Sequence, residues 1–206
     1  MPFAEKIATK AGVLGIWKFD EPLSSLISQF SFTPAEQAEF DKIKNEKRKI
    51  EYLATRLLLQ QLVNKKCEIE YLKSGKPQLK NNNRNISISH SANFVAVILS
   101  SQKVGIDIEN SSRNIEKLTG KFLHKKEISE IEKAENKQFA TILYWCAKEA
   151  LFKCTDDDGI QFNKQIIIHP FDIKIEQNFT ATLDNKKQFK LWHLIYENNI
   201  IVTCVE

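Results

Sequence analysis

Apolar residues recur in parts of this chain at intervals of three and four, which is the spacing of one helix face. The first such stripe consists of Ile50, Leu53, Ala54, Leu57, Leu58 and Leu62. The second lies in residues 138–154 and consists of Phe139, Ile142, Leu143, Cys146 and Ala150. A weaker helical pattern covers residues 125–133. We therefore predict three helices, of which the first and the last each bury an apolar face in a core.

Runs rich in valine and isoleucine between polar turn residues predict strands. Three of them follow one another closely in the middle of the chain, at residues 86–90, 94–99 and 104–109. The other runs are at residues 13–19, 67–72, 166–175, 187–196 and 200–205. A helix followed by strands thus occurs twice, although the sequence itself does not repeat. We predict an α+β fold of two similar lobes, residues 1–108 and 109–206.

The composition is that of an ordinary globular protein. Of the 206 residues, 42% are hydrophobic and 27% are charged, and no apolar run approaches the roughly 20 residues that a membrane span needs. The N-terminus lacks the apolar middle of a secretory signal, and the four cysteines have no C-x-x-C spacing. We therefore expect a cytoplasmic protein with reduced thiols. Its net charge of +4 is interspersed along the chain, which argues against bulk nucleic-acid binding.

Two carboxylates lie two residues apart in the strand predicted at the middle of the chain. Strand alternation sends Val104, Ile106 and Ile108 to one face and Asp107 with Glu109 to the other. Carboxylate oxygens projecting together are the ligands that Mg²⁺ prefers. A strand with a solvated acidic face has the same pattern, so the motif alone leaves both interpretations open.

A third carboxylate, Glu149, lies in the last predicted helix, four residues before Lys153. Residues at this spacing share a helix face, and an exposed Glu–Lys pair of this kind stabilises a helix by only about 0.2–0.5 kcal/mol. Trp145 lies one turn earlier on the same side. A large aromatic side chain there indicates that the face is covered, and a covered glutamate needs a metal or a cation as its partner.

The strand that ends at His90 is the third candidate for a functional site. Alternation predicts that Ile86 and Ile88 point inward and that Ser87 and Ser89 point outward. A histidine at a strand end either bonds a backbone carbonyl or, beside hydroxyls and a polar turn, donates to phosphate oxygens.

Further cations lie in the N-terminal half of the chain. Lys76 precedes Pro77 in a sequence that is typical of a rigid β-turn. Arg48 and Arg56 are eight residues apart on one helix face, so either could clamp a phosphate group bidentately. For Arg56, a half-buried salt bridge is an equally good interpretation.

Together these segments resemble the 4′-phosphopantetheinyl transferases of the larger, pseudo-dimeric type, which activate nonribosomal peptide, polyketide and fatty-acid synthases. The motifs are Gly75-Lys76-Pro77, residues 86–91 (ISISHS), residues 105–109 (GIDIE) and residues 145–153 (WCAKEALFK). The resemblance implies a holo-[acyl-carrier-protein] synthase activity. Such an enzyme transfers the 4′-phosphopantetheine group of coenzyme A to a serine of an apo acyl or peptidyl carrier protein and releases adenosine 3′,5′-bisphosphate. The resemblance also implies a monomer with its active site in the cleft between the lobes. The charge distribution and the hydropathy predict no nucleic-acid or membrane partner.

The resemblance assigns roles to individual residues. Asp107, Glu109 and Glu149 would bind Mg²⁺, with Mn²⁺ as the alternative. Asp107, Glu149 and Lys153 would be the catalytic residues, with Glu149 or a metal-bound water as the base. The residues that would contact coenzyme A are Arg48, Arg56, Lys76, Pro77, Ser89, His90 and Lys148. Of these, Ser89 and His90 would contact the 3′-phosphate.

Two other functions are also compatible with these residues. A non-catalytic module that binds coenzyme A or a nucleotide would keep the same pocket. A metal-dependent nuclease could use the same three carboxylates, but it would need a basic track for nucleic acid, which the interspersed charges do not supply.

Residues 117–126 are a candidate docking segment for the carrier protein. Lysines surround Phe122 and Leu123 there, and such a basic segment with an apolar centre suits an acidic helix. The alternative is that the segment is a solvated connector and that Phe122 seals the core.

Overall fold

Antiparallel sheets and two long helices form the frame of the protein, and the computed structural model describes residues 4–173 and 178–206. The strands are β1 (Ala4–Ala8), β2 (Val13–Lys18), β3 (Ile69–Tyr71), β4 (Pro77–Leu79), β5 (Asn85–Ser91), β6 (Phe94–Ser100), β7 (Val104–Asn110), β8 (Ile166–Ile168), β9 (Asn178–Leu183), β10 (Lys187–Tyr196) and β11 (Asn199–Val205). The helices are α1 (Leu23–Gln29), α2 (Pro34–Lys42), α3 (Glu46–Val63), α4 (Thr119–Phe122), α5 (Lys125–Lys133), α6 (Lys137–Cys154) and α7 (Phe162–Gln165).

Each of the two larger sheets packs against one helix of 18 residues. The first sheet has the strand order β1-β2-β6-β5 and contacts α3, and the second has the order β7-β11-β10-β9-β8 and contacts α6. Strands β3 and β4 form a separate ribbon. The apolar stripes predicted for the two helices lie in the two corresponding cores, which confirms them.

A third core lies between the two sheets and fixes the direction of the β7 side chains. It combines apolar residues of β2 and β6 with Val104, Ile106 and Ile108 of β7. Strand β6 is buried along its whole length, because α3 covers one of its faces and the second sheet covers the other. The alternate residues of β7, Asp107 and Glu109, therefore face away from this core, as predicted.

The sheets meet along β5 and β7 through serine hydroxyls. Three alternate serines of β5 accept hydrogen bonds from three alternate backbone N–H groups of β7. The pairs are Ser87–Ile106, Ser89–Ile108 and Ser91–Asn110, with N···O distances of 3.1, 3.3 and 3.2 Å. The prediction that Ser87 and Ser89 point outward is wrong, since β7 covers and buries them.

The predicted helices and strands are all present, with some differences in extent. The strand predicted at residues 166–175 is shorter, Ile166–Ile168, and its last two predicted residues lie outside the described part of the chain. Strands β1, β4 and β9 and helices α1, α2, α4 and α7 were not predicted. The mixed helix and sheet content agrees with the predicted fold class. Within residues 4–173 and 178–206, no helix has the length and apolar character to cross a membrane.

Candidate active site

A glycine brings helix α6 against strand β7. A Cβ atom at Gly105 would lie 1.8 Å from the carbonyl oxygen of Ala150 and 2.7 Å from the backbone nitrogen of Cys154. Since no side chain fits in this space, the two backbones pack directly on each other at this point. This contact places Glu149 and Lys153 of α6 beside the carboxylates of β7.

Asp107 is the buried centre of the site, with 5% of the residue exposed. Its Oδ1 accepts hydrogen bonds from Lys153 Nζ at 2.7 Å and from Ser89 Oγ at 2.8 Å. Within the described residues its Oδ2 is buried without a partner. The alternative of a strand with a solvated acidic face is therefore excluded for Asp107.

Glu109 is held from three directions and is also buried, at 8% exposure. Trp145 Nε1 donates to its Oε1 at 3.1 Å, and Arg113 Nη1 donates to the same oxygen. Ser91 Oγ donates to its Oε2 at 3.3 Å. Burial and the charge of Asp107 raise the pKa of Glu109 above its usual range. The tryptophan that indicated a covered helix face is thus a direct partner of the second carboxylate.

Glu149 is half-buried in α6 beside these two carboxylates. Burial first, and then the charge of Asp107, raise its pKa to about 7, while the nearby Lys153 acts in the opposite direction. Lys153 gives its hydrogen bonds to Asp107 and, at 3.0 Å, to Ser89 Oγ. Glu149 is consequently a carboxylate in a crowded acidic environment rather than half of an exposed helix pair.

The three carboxylates are only partly arranged as a metal site. Among the described residues, no group of three or more histidine, cysteine, aspartate or glutamate side chains is positioned to hold a metal ion. Lys153 and Arg113 instead contact Asp107 and Glu109. However, burial and then the charge of Asp107 raise the pKa of both glutamates, and the Oδ2 of Asp107 has no partner in the described structure. An unpaired buried acceptor among oxygen donors fits a hard divalent cation such as Mg²⁺.

A cleft of about 480 Å³ lies beside the carboxylates. Its lining includes four of the residues predicted from the sequence, Lys76, Pro77, His90 and Lys153. Its volume lies within the range of small-molecule sites. Lys153 therefore contacts both the acidic centre and the cleft.

Arg48 joins His90 at the edge of this cleft. Its Nη1 lies 3.3 Å from His90 Nε2 and 2.8 Å from Glu51 Oε2. Burial lowers the pKa of His90; the charge of Glu51 opposes this shift, and the charge of Arg48 adds to it. The arginine and the histidine, 42 residues apart in sequence, form a polar pair on the β5 side of the site.

The sequence matches the model of a known family. The model of the ACPS family, described as the 4′-phosphopantetheinyl transferase superfamily, matches residues 103–205, half of the chain. The chain belongs to the 4′-phosphopantetheinyl transferase superfamily. Comparison with curated proteins finds no match. The resemblance to this superfamily is thus confirmed, and the part of the chain that matches begins one residue before β7 and ends with β11.

In this superfamily member Lys148 is not part of the site, although the sequence placed it among the ligand contacts. Its side chain is 0% exposed and lies 2.7 Å from Glu127 Oε2. Its Nζ also donates to three backbone carbonyls, those of Phe122, Phe162 and Ile166, at 2.8, 3.0 and 2.8 Å. A cation enclosed in this way has no access to a ligand, so we correct this prediction.

Arg56 is also enclosed by protein, with 1% of the residue exposed. Its guanidinium group stacks over the ring of Tyr52, 3.3 Å from the centroid, and its Nη2 lies 3.4 Å from Glu39 Oε2. These contacts agree with the salt-bridge interpretation of Arg56. Of the two arginines that the sequence left open, the structure brings Arg48 to His90.

Two further predictions are corrected by burial. Ser89, expected to contact phosphate, uses its hydroxyl for Asp107, Lys153 and the N–H of Ile108. In the segment proposed to dock a carrier protein, Phe122 and Leu123 are buried in the core. The ring of Phe122 packs edge-on against Trp145 at 5.0 Å. The segment therefore presents lysines without the apolar centre that was expected.

Arg113 and the role of Ser91 were not predicted from the sequence. Arg113 follows Glu109 by four residues in a turn after β7, and its backbone N–H bonds Asn110 O at 3.0 Å. Ser91 is the third serine of the β5 ladder. A cation shortly after the acidic motif was a visible signal for Arg113, but its contact depends on the turn geometry.

Proposed function

We propose that this protein transfers the 4′-phosphopantetheine group of coenzyme A to a serine of an apo acyl or peptidyl carrier protein and releases adenosine 3′,5′-bisphosphate. One observation carries the proposal. Asp107, Glu109 and Glu149 lie together with Lys153, and Lys153 lines a cleft that also contains Lys76 and His90. Membership of the superfamily supports the transfer chemistry.

Asp107, Glu109 and Glu149 are the residues that would hold Mg²⁺, or Mn²⁺ in its place. A divalent cation there would neutralise the charge of the coenzyme A pyrophosphate and so improve the leaving group. The partnerless Oδ2 of Asp107 and the acidic surroundings of Glu149 support this assignment. The first strand of the superfamily match thus supplies two of the carboxylates and α6 supplies the third.

The residues of the chain contribute mainly position and charge, as in other phosphoryl transfers. Lys153 is fixed by Asp107 and Ser89 at the border of the cleft, where its ammonium group would contact the transferring phosphate. Lys76, His90 and Arg48 would hold the nucleotide part of coenzyme A. Glu149 is the candidate side chain to accept the proton of the carrier serine.

We further propose that the two sheets with their long helices are two similar lobes in the manner of a pseudo-dimer. Helix α3 with the first sheet and helix α6 with the second support this division. The boundary predicted after residue 108 falls within β7, which pairs with β11 along its whole length. A division that keeps the second sheet intact begins at Val104.

Mass spectrometry of carrier proteins tests the proposed function. The protein, Mg²⁺ and coenzyme A are incubated with several apo carrier proteins, and the intact masses of the carriers are measured. We expect at least one carrier to gain the mass of phosphopantetheine, with none gained when coenzyme A or the metal is omitted. Binding of coenzyme A without any mass gain on any carrier would instead indicate a non-catalytic binding module.

Glu149→Gln separates the proposed role of Glu149 from that of a surface residue. The change keeps the size of the side chain but removes its charge, so the rate of transfer is expected to fall by at least about a hundredfold. The free energy of unfolding should stay the same or rise, because the lost charge lies close to Asp107 and Glu109. Transfer kinetics and denaturant unfolding measure the two effects. Glu132→Gln, at an exposed position of α5, should change neither, and full activity of Glu149→Gln would refute its role.

A further inference from the structure

An ion bridge at the cleft links two lysines through one carboxylate, and the mechanism above does not use it. Asp156 Oδ1 accepts a hydrogen bond from Lys76 Nζ at 3.0 Å, and its Oδ2 accepts one from Lys103 Nζ. All three residues line the same cleft as Lys153. Each oxygen of the carboxylate thus holds one ammonium group.

The two lysines come from separate turns. Lys76 follows Gly75, whose positive φ of 83° shapes the turn between β3 and β4. A backbone hydrogen bond of 2.9 Å from Leu72 N to Lys76 O closes this turn. Lys103 lies in the connection between β6 and β7, and Asp156 lies in the segment after α6. The fold therefore brings together two cations that the sequence keeps 27 residues apart (103 minus 76).

Another anion can displace the carboxylate of Asp156 from the two lysines at a small cost in free energy. The side chain of Asp156 is 64% exposed, and exposed ion pairs contribute little free energy because water and salt screen them. Hydrogen bonds from Lys103 and Lys76 hold the pKa of Asp156 below its usual range, so it carries a charge at neutral pH. An anion with more charge and more oxygens would compete effectively for the same two lysines.

We propose that Asp156 occupies the place of a phosphate group of the ligand between Lys76 and Lys103, and that this phosphate displaces it on binding. A phosphate monoester carries close to two negative charges and three terminal oxygens, which matches two ammonium groups better than one carboxylate does. The inference rests on the proposed function, since coenzyme A supplies the phosphates. It makes Lys103 a ligand-binding residue and Asp156 a competitor that weakens binding.

Asp158 provides a matched control for Asp156. It lines the same cleft and is exposed, and its change to asparagine removes the same charge. No ion pair to a lysine is found for it among the residues that the structure describes. A difference between the two variants therefore reports displacement from the lysines rather than a general loss of negative charge.

Titration calorimetry with coenzyme A at fixed salt tests the proposal on wild type, Asp156→Asn, Asp158→Asn and Lys103→Gln. We expect Asp156→Asn to bind about fivefold more tightly, as two exposed ion pairs no longer have to be broken. Asp158→Asn should bind within about twofold of wild type, since it lies in no such pair. Lys103→Gln should bind about fivefold more weakly because it loses a direct contact to the phosphate. Equal affinities of the two aspartate variants, or an unchanged affinity of Lys103→Gln, would overturn the proposal.

Two further ligands identify the phosphate and separate this inference from the proposed function. If the 3′-phosphate occupies the subsite, Lys103→Gln should not weaken 3′-dephospho-coenzyme A, whereas an equal loss for both ligands assigns the subsite to the pyrophosphate. Adenosine 3′,5′-bisphosphate serves as a ligand that cannot take part in transfer. If the ligand affinities of the variants follow the expected order but no carrier is modified, the proposed enzymatic function is refuted and the subsite is supported. If the wild type modifies a carrier but the affinities of the variants do not follow this order, only the subsite is refuted.

Discussion

Asp107→Asn is expected to reduce phosphopantetheine transfer by at least about a hundredfold while the protein stays folded. Asparagine keeps the size of the buried side chain and can still accept the hydrogen bond from Ser89 Oγ. The change removes the charge that fixes Lys153 and that would bind the divalent cation. Timed measurements of carrier mass give the rate, and denaturant unfolding reports the state of the fold.

The control for this variant is Asp158→Asn, which removes a carboxylate from the exposed part of the cleft lining. It should retain the wild-type rate of transfer at saturating coenzyme A. Near-normal turnover of Asp107→Asn with Mg²⁺ would contradict the metal assignment. To separate a lost site from a lost fold, the Mn²⁺ affinity of the folded variant can be measured by electron paramagnetic resonance. If Asp107→Asn binds Mn²⁺ with the affinity of the wild type, the assignment of Asp107 as a metal ligand is also contradicted.

Lys148→Met should produce the largest loss of stability, about 3–5 kcal/mol in the free energy of unfolding. The methionine has nearly the same length as lysine, but it leaves Glu127 as an unpaired charge with 1% of its side chain exposed. It also leaves three backbone carbonyls without the ammonium donor. Denaturant unfolding, analysed at constant slope, measures the effect.

Two comparisons make this prediction specific. Lys137→Met, at an exposed position near the start of α6, should change stability by less than about 0.5 kcal/mol. Adding Glu127→Gln to Lys148→Met should destabilise the protein by less than the sum of the single changes, because neither charge is then left alone. A Lys148→Met variant as stable as wild type would contradict the buried ion pair.

The sequence predicted most of the frame because its strongest signals are local. The stripe on α3 and the stripe on α6 repeat at helical spacing, and each was confirmed as the face of a core. The elements that were missed have weaker signals. Helix α2, for example, buries few apolar residues, and its start depends on Pro34 and on a capping box between Thr33 and Glu36.

The site residues were predictable where the periodicity of a single strand or helix determines the direction of their side chains. Asp107 and Glu109 face away from the apolar core because Val104, Ile106 and Ile108 fill it, and this follows from the strand pattern alone. Glu149 and Lys153 share a helix face for the same kind of reason. The resemblance to the transferase family then joined these two local patterns into one predicted site.

The sequence by itself determined which residues share a face, and only the tertiary structure decided what covers each face. Lys148 and Lys153 lie in one helix, yet packing against α4, α5, α7 and β8 encloses the first, and the β5–β7 seam leaves the second at the cleft. Ser89 alternates as predicted, but β7 lies where solvent was expected. The bridge from Lys76 through Asp156 to Lys103 likewise depends on contacts between distant segments. The period of apolar and polar residues determines the direction in which the side chains of one helix or strand point. Which other elements pack against it depends on contacts between distant parts of the chain, and no local sequence pattern predicts these contacts.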